Sequence, residues 1–220
     1  MKAAFVLAVA LGLVYQAQAP LPPAFPRPGF EQLADNEFLV AWKGILGVKG
    51  IPTVLHQHNQ DLVGVFLDPG QVQNTALDGT VRVGAAFVRG AVAFQPRGVS
   101  HTEEVLVDGT RAVGIEPKVR PRPAAPGENL ADDGRVILDN DSVLIREYAF
   151  SPGTPVRQVY PAARSVVVSL ESGEIAEAQG ERTGGKEAVV FGEVSLAAAN
   201  VARQVVATRG TPKVIVVTVR

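Results

Sequence analysis

GIPTVLHQHNQDLVGVFLDPG, residues 50–70, holds two of the three histidines of a 220-residue chain, one residue apart. The segment is rich in valine and leucine and ends on Asp-Pro-Gly, the composition of strands closed by a tight turn. Side chains alternate between the two faces of a strand, so His56 and His58 point the same way with Cα atoms roughly 6.5–7 Å apart. Two imidazoles so placed can reach one ion at about 2.0–2.1 Å each. The third histidine, His101, lies in a second glycine- and proline-punctuated segment, GAVAFQPRGVSHTEEV, residues 90–105.

Outward from these segments the chain repeats itself. LADNEFLVAW in the first block matches LDNDSVLIRE in the second, pairing Asn36 with Asn140. Gly50 then pairs with Gly153, Gly70 with Gly173, Gly90 with Gly192 and Gly109 with Gly210, at offsets of 103, 103, 102 and 101. A drift of one residue at a time is what single deletions in turns produce, and each block reads as one copy of a unit of about 85 residues. Within a unit, VGVFL, TVRVGAAFV, AVAFQP and RAVGIEP are short β-rich runs separated by DPG, LDGT and VDGT. Asp-Gly pairs favour hairpin turns because glycine accepts positive φ without penalty. With 22 glycines and 16 prolines the expected class is all-β, antiparallel, closed into sandwiches or small barrels. VVVSL and KVIVVTV read as strands covered on both faces; only short stretches such as AEAQGER look helical.

Composition excludes several functions. Lys and Arg (21) balance Asp and Glu (22) with no basic run, so no nucleic-acid footprint exists. No cysteine is present, which removes disulfides, thiolate zinc sites and cysteine nucleophiles, so any metal must be held by N and O ligands. Residues 1–19, MKAAFVLAVALGLVYQAQA, combine Lys2, an apolar run and an Ala-x-Ala triplet and are expected to be a signal peptide of an exported, periplasmic or secreted bacterial protein. Pro20 directly after the triplet departs from the usual cleavage context and leaves the mature N-terminus open. An uncleaved segment would anchor the chain; otherwise no membrane partner is expected. Residues 20–34 and 119–134 are proline-rich and expected as extended linkers. Asn140-Asp141-Ser142 reads as a chance sequon, and Thr183-Gly184-Gly185-Lys186 lacks P-loop spacing and is expected to be a hairpin turn.

The two histidine segments resemble the cupin superfamily, whose motifs are G-x5-H-x-H-x(3,4)-E-x6-G and G-x5-P-x-G-x2-H-x3-N. Here the first reads Gly50, His56, His58, Val63 and Gly70, and the second Gly90, Pro96, Gly98, His101 and Val105, so eight positions stand in register. The resemblance implies a bicupin of two antiparallel jelly-roll barrels, with a metal-binding domain over residues 35–118 and a second domain over 135–220. It implies His56, His58 and His101 as ligands of one divalent transition metal (Fe, Mn, Ni, Cu or Zn). The family's carboxylate and asparagine are replaced by Val63 and Val105, neither of which can bind a metal. Asp61 is a substitute carboxylate if the strand end bulges, and Glu103 and Glu104 are either supporting acids or solvent-facing charges.

In block two the aligned ligand positions are Val159, Pro161, Val166 and Arg203, so that half is expected to be structural, with Arg203 in an ion pair. The family resemblance implies a small-molecule partner and is compatible with a homo-oligomer. Two functions stay open. One is metal-dependent oxygenase or isomerase chemistry on a small oxygen-rich molecule; the other is non-catalytic ligand binding or a structural role.

Overall fold

The computed structural model describes residues 20–119, 132–179 and 182–220; the expected signal peptide and most of the second expected linker lie outside them. The described residues are all-β, with no helix long and apolar enough to cross a membrane. AEAQGER is not helical where described: Ala176–Gln179 continue a long strand, because pairing on both sides overrides local helix propensity.

In the first half, strands β1 (Phe30–Asp35), β2 (Leu39–Ile45), β4 (Leu62–Phe66), β7 (Val92–Gln95) and β9 (Arg111–Pro117) form a sheet in the order β1-β2-β9-β4-β7. A second sheet, ordered β3-β8-β5-β6, comprises β3 (His56–Gln57), β5 (Val72–Ala76), β6 (Val81–Val83) and β8 (Ser100–Val105). In the second half β10 (Arg135–Asp139), β11 (Val143–Ala149), β12 (Val156–Tyr160), β13 (Ser165–Gln179), β14 (Arg182–Val189), β15 (Val194–Leu196) and β16 (Val201–Val219) share one seven-stranded sheet. Register shifts near Glu171 and Gly173 bend the long β13–β16 pair, as bulges do. Every named strand pairing is antiparallel.

Two features of the repeat read from the sequence recur in the structure. The Asn36 side chain accepts from the amides of Phe38 and Leu39, and the Asn140 side chain accepts from those of Ser142 and Val143. Both asparagines therefore cap the same turn ahead of β2 and β11, which gives the Asn140 sequon position a structural role. Gly50 and Gly153 share a φ near +75° (78° and 74°), a conformation that penalises any Cβ.

Alternation along the strands makes two cores. Leu39, Ala41, Val63, Val65, Val113 and Ile115 of the first half interleave with Val143, Ile145, Val166, Val168, Ile215 and Val217 of the second. The opposite face of the second half buries Tyr148, Phe150, Val205, Val214 and Val216 among themselves. KVIVVTV is thus covered on both faces, as its unbroken apolar run predicts.

The two expected linkers are partly built into the fold. Residues 30–35 form β1, and Ala24 and Phe25 are buried with Val40 and Trp42, the Phe25 ring stacking on Trp42 at 5.4 Å. Proline density excludes helix but not an extended strap lying on a sheet. The strap crosses β2 at Gly44, where a Cβ would stand 2.0 Å from the Gly29 carbonyl oxygen. In the second linker, Asp132 accepts from the Tyr148 hydroxyl and the Val159 amide, each at 2.7 Å. Thr183-Gly184-Gly185-Lys186 runs within β14 rather than forming the expected turn.

Candidate metal centre

Antiparallel pairing of β3 with β8 sets His56 directly opposite His101. His58 follows two residues later on the same face, held by its amide to the Val99 carbonyl at 2.9 Å and by the Gly98 amide to its own carbonyl at 2.7 Å. The three rings lie 4.9–5.2 Å apart between centroids and are all buried, at 4%, 1% and 4% exposure for His56, His58 and His101. One ligand nitrogen from each lies within 4.8 Å of the others. Strand alternation brings together the three residues that the sequence picked out.

The donor chemistry fits a metal ion. His56 Nδ1 stands 2.9 Å from the Val54 carbonyl oxygen; a carbonyl only accepts, so Nδ1 carries the proton and Nε2 the lone pair. That Nε2 is buried with no partner among the described residues, a costly state for a polar atom unless something is bound there. His58 Nε2 and His101 Nε2 are 3.2 Å apart. Two nitrogens sharing an ion at about 2.0–2.1 Å, with near-octahedral to tetrahedral angles, stand roughly 2.9–3.4 Å apart. Burial, then the neighbouring His101 and His56, lowers the His58 pKa from 6.5 to about 4. Burial likewise lowers that of His101, against the opposing pull of Glu103. Neutral imidazoles with free lone pairs are therefore available well into the acid range.

Beside the rings opens a cavity of about 310 Å³ between the two sheets of the first half. Phe25, Phe30, Leu62 and Phe66 give it apolar walls, and Gly64, Ala93, Ala112 and Gly114 leave its space open. His58, His101, Glu103 and Arg27 supply its charged or basic edge. Glu103, two residues after His101 on β8, faces the same way; its Oε1 is 3.8 Å from His101 Nε2 while its Oε2 pairs with the Arg27 guanidinium. Burial alone would raise the Glu103 pKa, but the charge and hydrogen bond of Arg27, followed by the histidines, hold it below the ordinary glutamate value. Glu103 is thus the supporting acid of the two alternatives. Its signal was the i, i+2 parity with His101. Arg27 had no such signal, because nothing in a proline-rich segment marks one residue as inward-facing. Its guanidinium also lies over the rings of Phe25 and Phe30 at 5.0 and 4.8 Å.

Asp61 does not join the cluster. Its carboxylate accepts from the Ser142 hydroxyl and, at 2.8 Å, from the Arg97 amide, so it ties the first half to the turn ahead of β11. The strand end does not bulge toward the histidines: Val63 faces the shared core, while Leu62, Gly64 and Phe66 of β4 line the cavity with them. Val105 is buried, as an apolar replacement requires.

In the second half Gln158 pairs with Arg203 across β12 and β16 as His56 pairs with His101. The inward residues matching His56 and His58 are therefore Gln158 and Tyr160, not Val159 and Pro161, while Arg203 does match His101. Arg203 is in the ion pair expected of it, 2.9 Å from Glu187.

No family model matches the sequence, and no curated protein matches it. Solved structures do. AerE from Microcystis aeruginosa superposes with a TM-score of 0.58 at 13% identity, covering 91% of this chain and 98% of that one. A cupin 2 conserved barrel domain protein from Leptotrichia buccalis gives 0.57 at 12% identity, covering 87% and 88%. Oxalate decarboxylase from Bacillus subtilis gives 0.56 at 10% identity, covering 87% and 73%. With the three histidines clustered where the motif puts them, the chain has the fold of the cupin proteins.

Proposed function

We propose that the protein binds one divalent transition metal through His56, His58 and His101 and presents it to a small oxygen-rich molecule in the adjoining cavity. The observation that carries this reading is the unpartnered, buried Nε2 of His56 beside two further Nε2 atoms only 3.2 Å apart. Three neutral ligands leave an ion its full +2 charge, so when bound it supplies strong Lewis acidity to a ligand oxygen or water. Imidazole donors suit Fe, Ni, Cu and Zn and admit Mn. Arg27 and Glu103 supply one cation and one carboxylate beside the histidines: the guanidinium orients an oxygen-bearing ligand, and the ionised Glu103 offers a hydrogen-bond acceptor next to His101. The aromatic and aliphatic walls exclude bulk water and restrict the ligand to a small one.

In the finer reading the site is catalytic, with oxidative or isomerising chemistry; the apolar lining is equally suited to a module that only binds. The two halves are read as two jelly-roll barrels, of which the first carries the site. Residues 1–19 are read as a signal directing the chain to the periplasm or outside the cell. Metal analysis of tag-free protein, purified without added metal and then challenged separately with Fe, Mn, Ni, Cu and Zn, tests the site. One equivalent bound by the wild type and none by His58→Ala is expected; a wild-type chain that refuses all five overturns it. Oxygen uptake with diketones, thiols and phenols then separates an oxygenase from a binding module. Cell fractionation with N-terminal sequencing tests export.

A further inference from the structure

A cavity larger than the one beside the histidines lies in the second half. It measures about 490 Å³, inside the usual range of small-molecule pockets, about 300–1,000 Å³. At its inner wall the three positions that match the histidines carry Gln158, Tyr160 and Arg203. Two of these side chains are joined, Arg203 Nε donating to Gln158 Oε1 at 3.3 Å, and Tyr160 lines the same wall beside them. Gln158 and Tyr160 are 2% and 7% exposed, and burying an amide and a phenol is costly unless their hydrogen-bonding capacity is used. The Gln158 oxygen is engaged by Arg203, which leaves its NH₂ donors without a partner among the described residues. The Tyr160 O–H is likewise left to donate. Burial, then the neighbouring Glu187, keeps that phenol protonated by raising its pKa against the opposing pull of Arg203.

Charge decides the class of ligand. Among the described residues Arg203 is the one cation lining the cavity, and Glu187 already neutralises it at 2.9 Å. Glu177 and Glu193 also line the walls, so a ligand carboxylate or phosphate would meet net negative charge. A bare cation would face Arg203 and the donors of Gln158 and Tyr160 at the inner end. What remains is a donor-rich floor, carboxylate and hydroxyl acceptors from Glu177, Glu193 and Ser169 on the walls, and apolar patches from Phe150, Val189 and Val214 between them. Mixed donors and acceptors with small apolar faces match a ring that bears several hydroxyls.

We propose that the second half is a metal-free binding site for an uncharged, polyhydroxylated small molecule of monosaccharide size, held by Gln158, Tyr160 and Arg203. The site is independent of the metal reading, since it uses no residue of the first half.

The test uses the full chain and four probes, D-glucose, myo-inositol, D-glucuronate and D-glucosamine, followed by saturation-transfer NMR and calorimetry up to about 50 mM. At least one neutral probe is expected to bind in the millimolar range, with glucuronate about tenfold weaker or silent. Tyr160→Phe, which keeps the ring and its packing, and Gln158→Ala should each weaken binding about five- to tenfold, the loss expected for one or two hydrogen bonds. His58→Ala, which removes the metal site, should leave the sugar signal unchanged. The proposal is overturned if no probe binds, if glucuronate or glucosamine binds more tightly than both neutral probes, or if both second-half variants bind as the wild type does.

Discussion

Removing the Asp61 carboxylate separates a structural role from a metal-binding one. Asp61 is 5% exposed and accepts from the Ser142 hydroxyl, itself 6% exposed, and from the backbone amide of Arg97, an exposed residue. In Asp61→Ala the buried Ser142 hydroxyl loses its acceptor, a cost of about 1–3 kcal/mol. The Arg97 amide can turn to water and adds about 1 kcal/mol or less. The sum is about 1–4 kcal/mol, read as a lower urea midpoint at unchanged slope at pH 7. Part of this cost belongs to the pair, so Ser142→Ala should already have lost about 1–2 kcal/mol of it, and the double variant should be little worse than Asp61→Ala. The Asp61 pKa is lowered: burial opposes its charge, but the hydrogen bonds of Ser142 and Arg97 outweigh that. The contribution is therefore present above the ordinary value of 3.8 and lost as pH falls through the lower folded value, so the variant's deficit should shrink in acid. Metal stoichiometry should not change. An Asp61→Ala protein as stable as the wild type but unable to hold metal would refute the assignment of this carboxylate to the joint between the halves.

Other outcomes follow from the same geometry. His58→Ala should abolish stoichiometric metal binding, measured by elemental analysis, while the far-ultraviolet circular dichroism stays that of a β protein. In metal-free protein the His58 pKa falls from 6.5 to about 4 on folding, so the unfolded chain takes the proton first. Stability from this residue is then whole above pH 6.5 and declines to a floor near pH 4, by at most about 3 kcal/mol, and His58→Gln should flatten that part of a urea-midpoint profile. Gly64→Leu, placing a side chain where a Cβ meets only Ala93 at 3.8 Å, should fill the first cavity and block small-ligand binding with metal retained. Gly44→Val should lift the N-terminal strap from β2, because the Cβ would meet backbone at 2.0 Å, and should expose the segment around Arg27 to limited proteolysis.

The histidine cluster was legible because two simple rules suffice for it. Period-two alternation puts His56 and His58 on one face, and motif spacing sets His101 against them. The repeat was legible through its glycines: three of the four pairs hold a positive φ that other residues adopt at a cost, and Gly70 and Gly173 leave no room for a Cβ. The matching residues of the second half were not. Gly153 sits 103 residues after Gly50, but Gln158 sits 102 after His56 and Val166 again 103 after Val63, so a one-residue slip in β12 is cancelled before the next marker. A slip of one residue turns every side chain to the other face, and for that reason glycine spacing pointed to Val159 and Pro161 where the inward residues are Gln158 and Tyr160. Val63 illustrates a related limit: the motif permits three or four residues after the second histidine, and only the sheet shows that Leu62, not Val63, turns toward the rings. Arg27 and Asp61 owe their places to contacts across long stretches of chain, which no local pattern encodes.

The joint between the halves is made twice. Asp61 meets Ser142 from the other half, and the matching pair, Arg164 with Phe38, meets through a guanidinium lying 4.3 Å over a ring. A chain of one unit with this contact would assemble as a two-fold dimer, obliged to use the same residues at both ends of its seam. Fusion in tandem lifts that obligation: each end can change alone, and so can each interior. Covalent linkage is what allows one interior to keep its imidazoles while the other trades them for an amide, a phenol and a guanidinium.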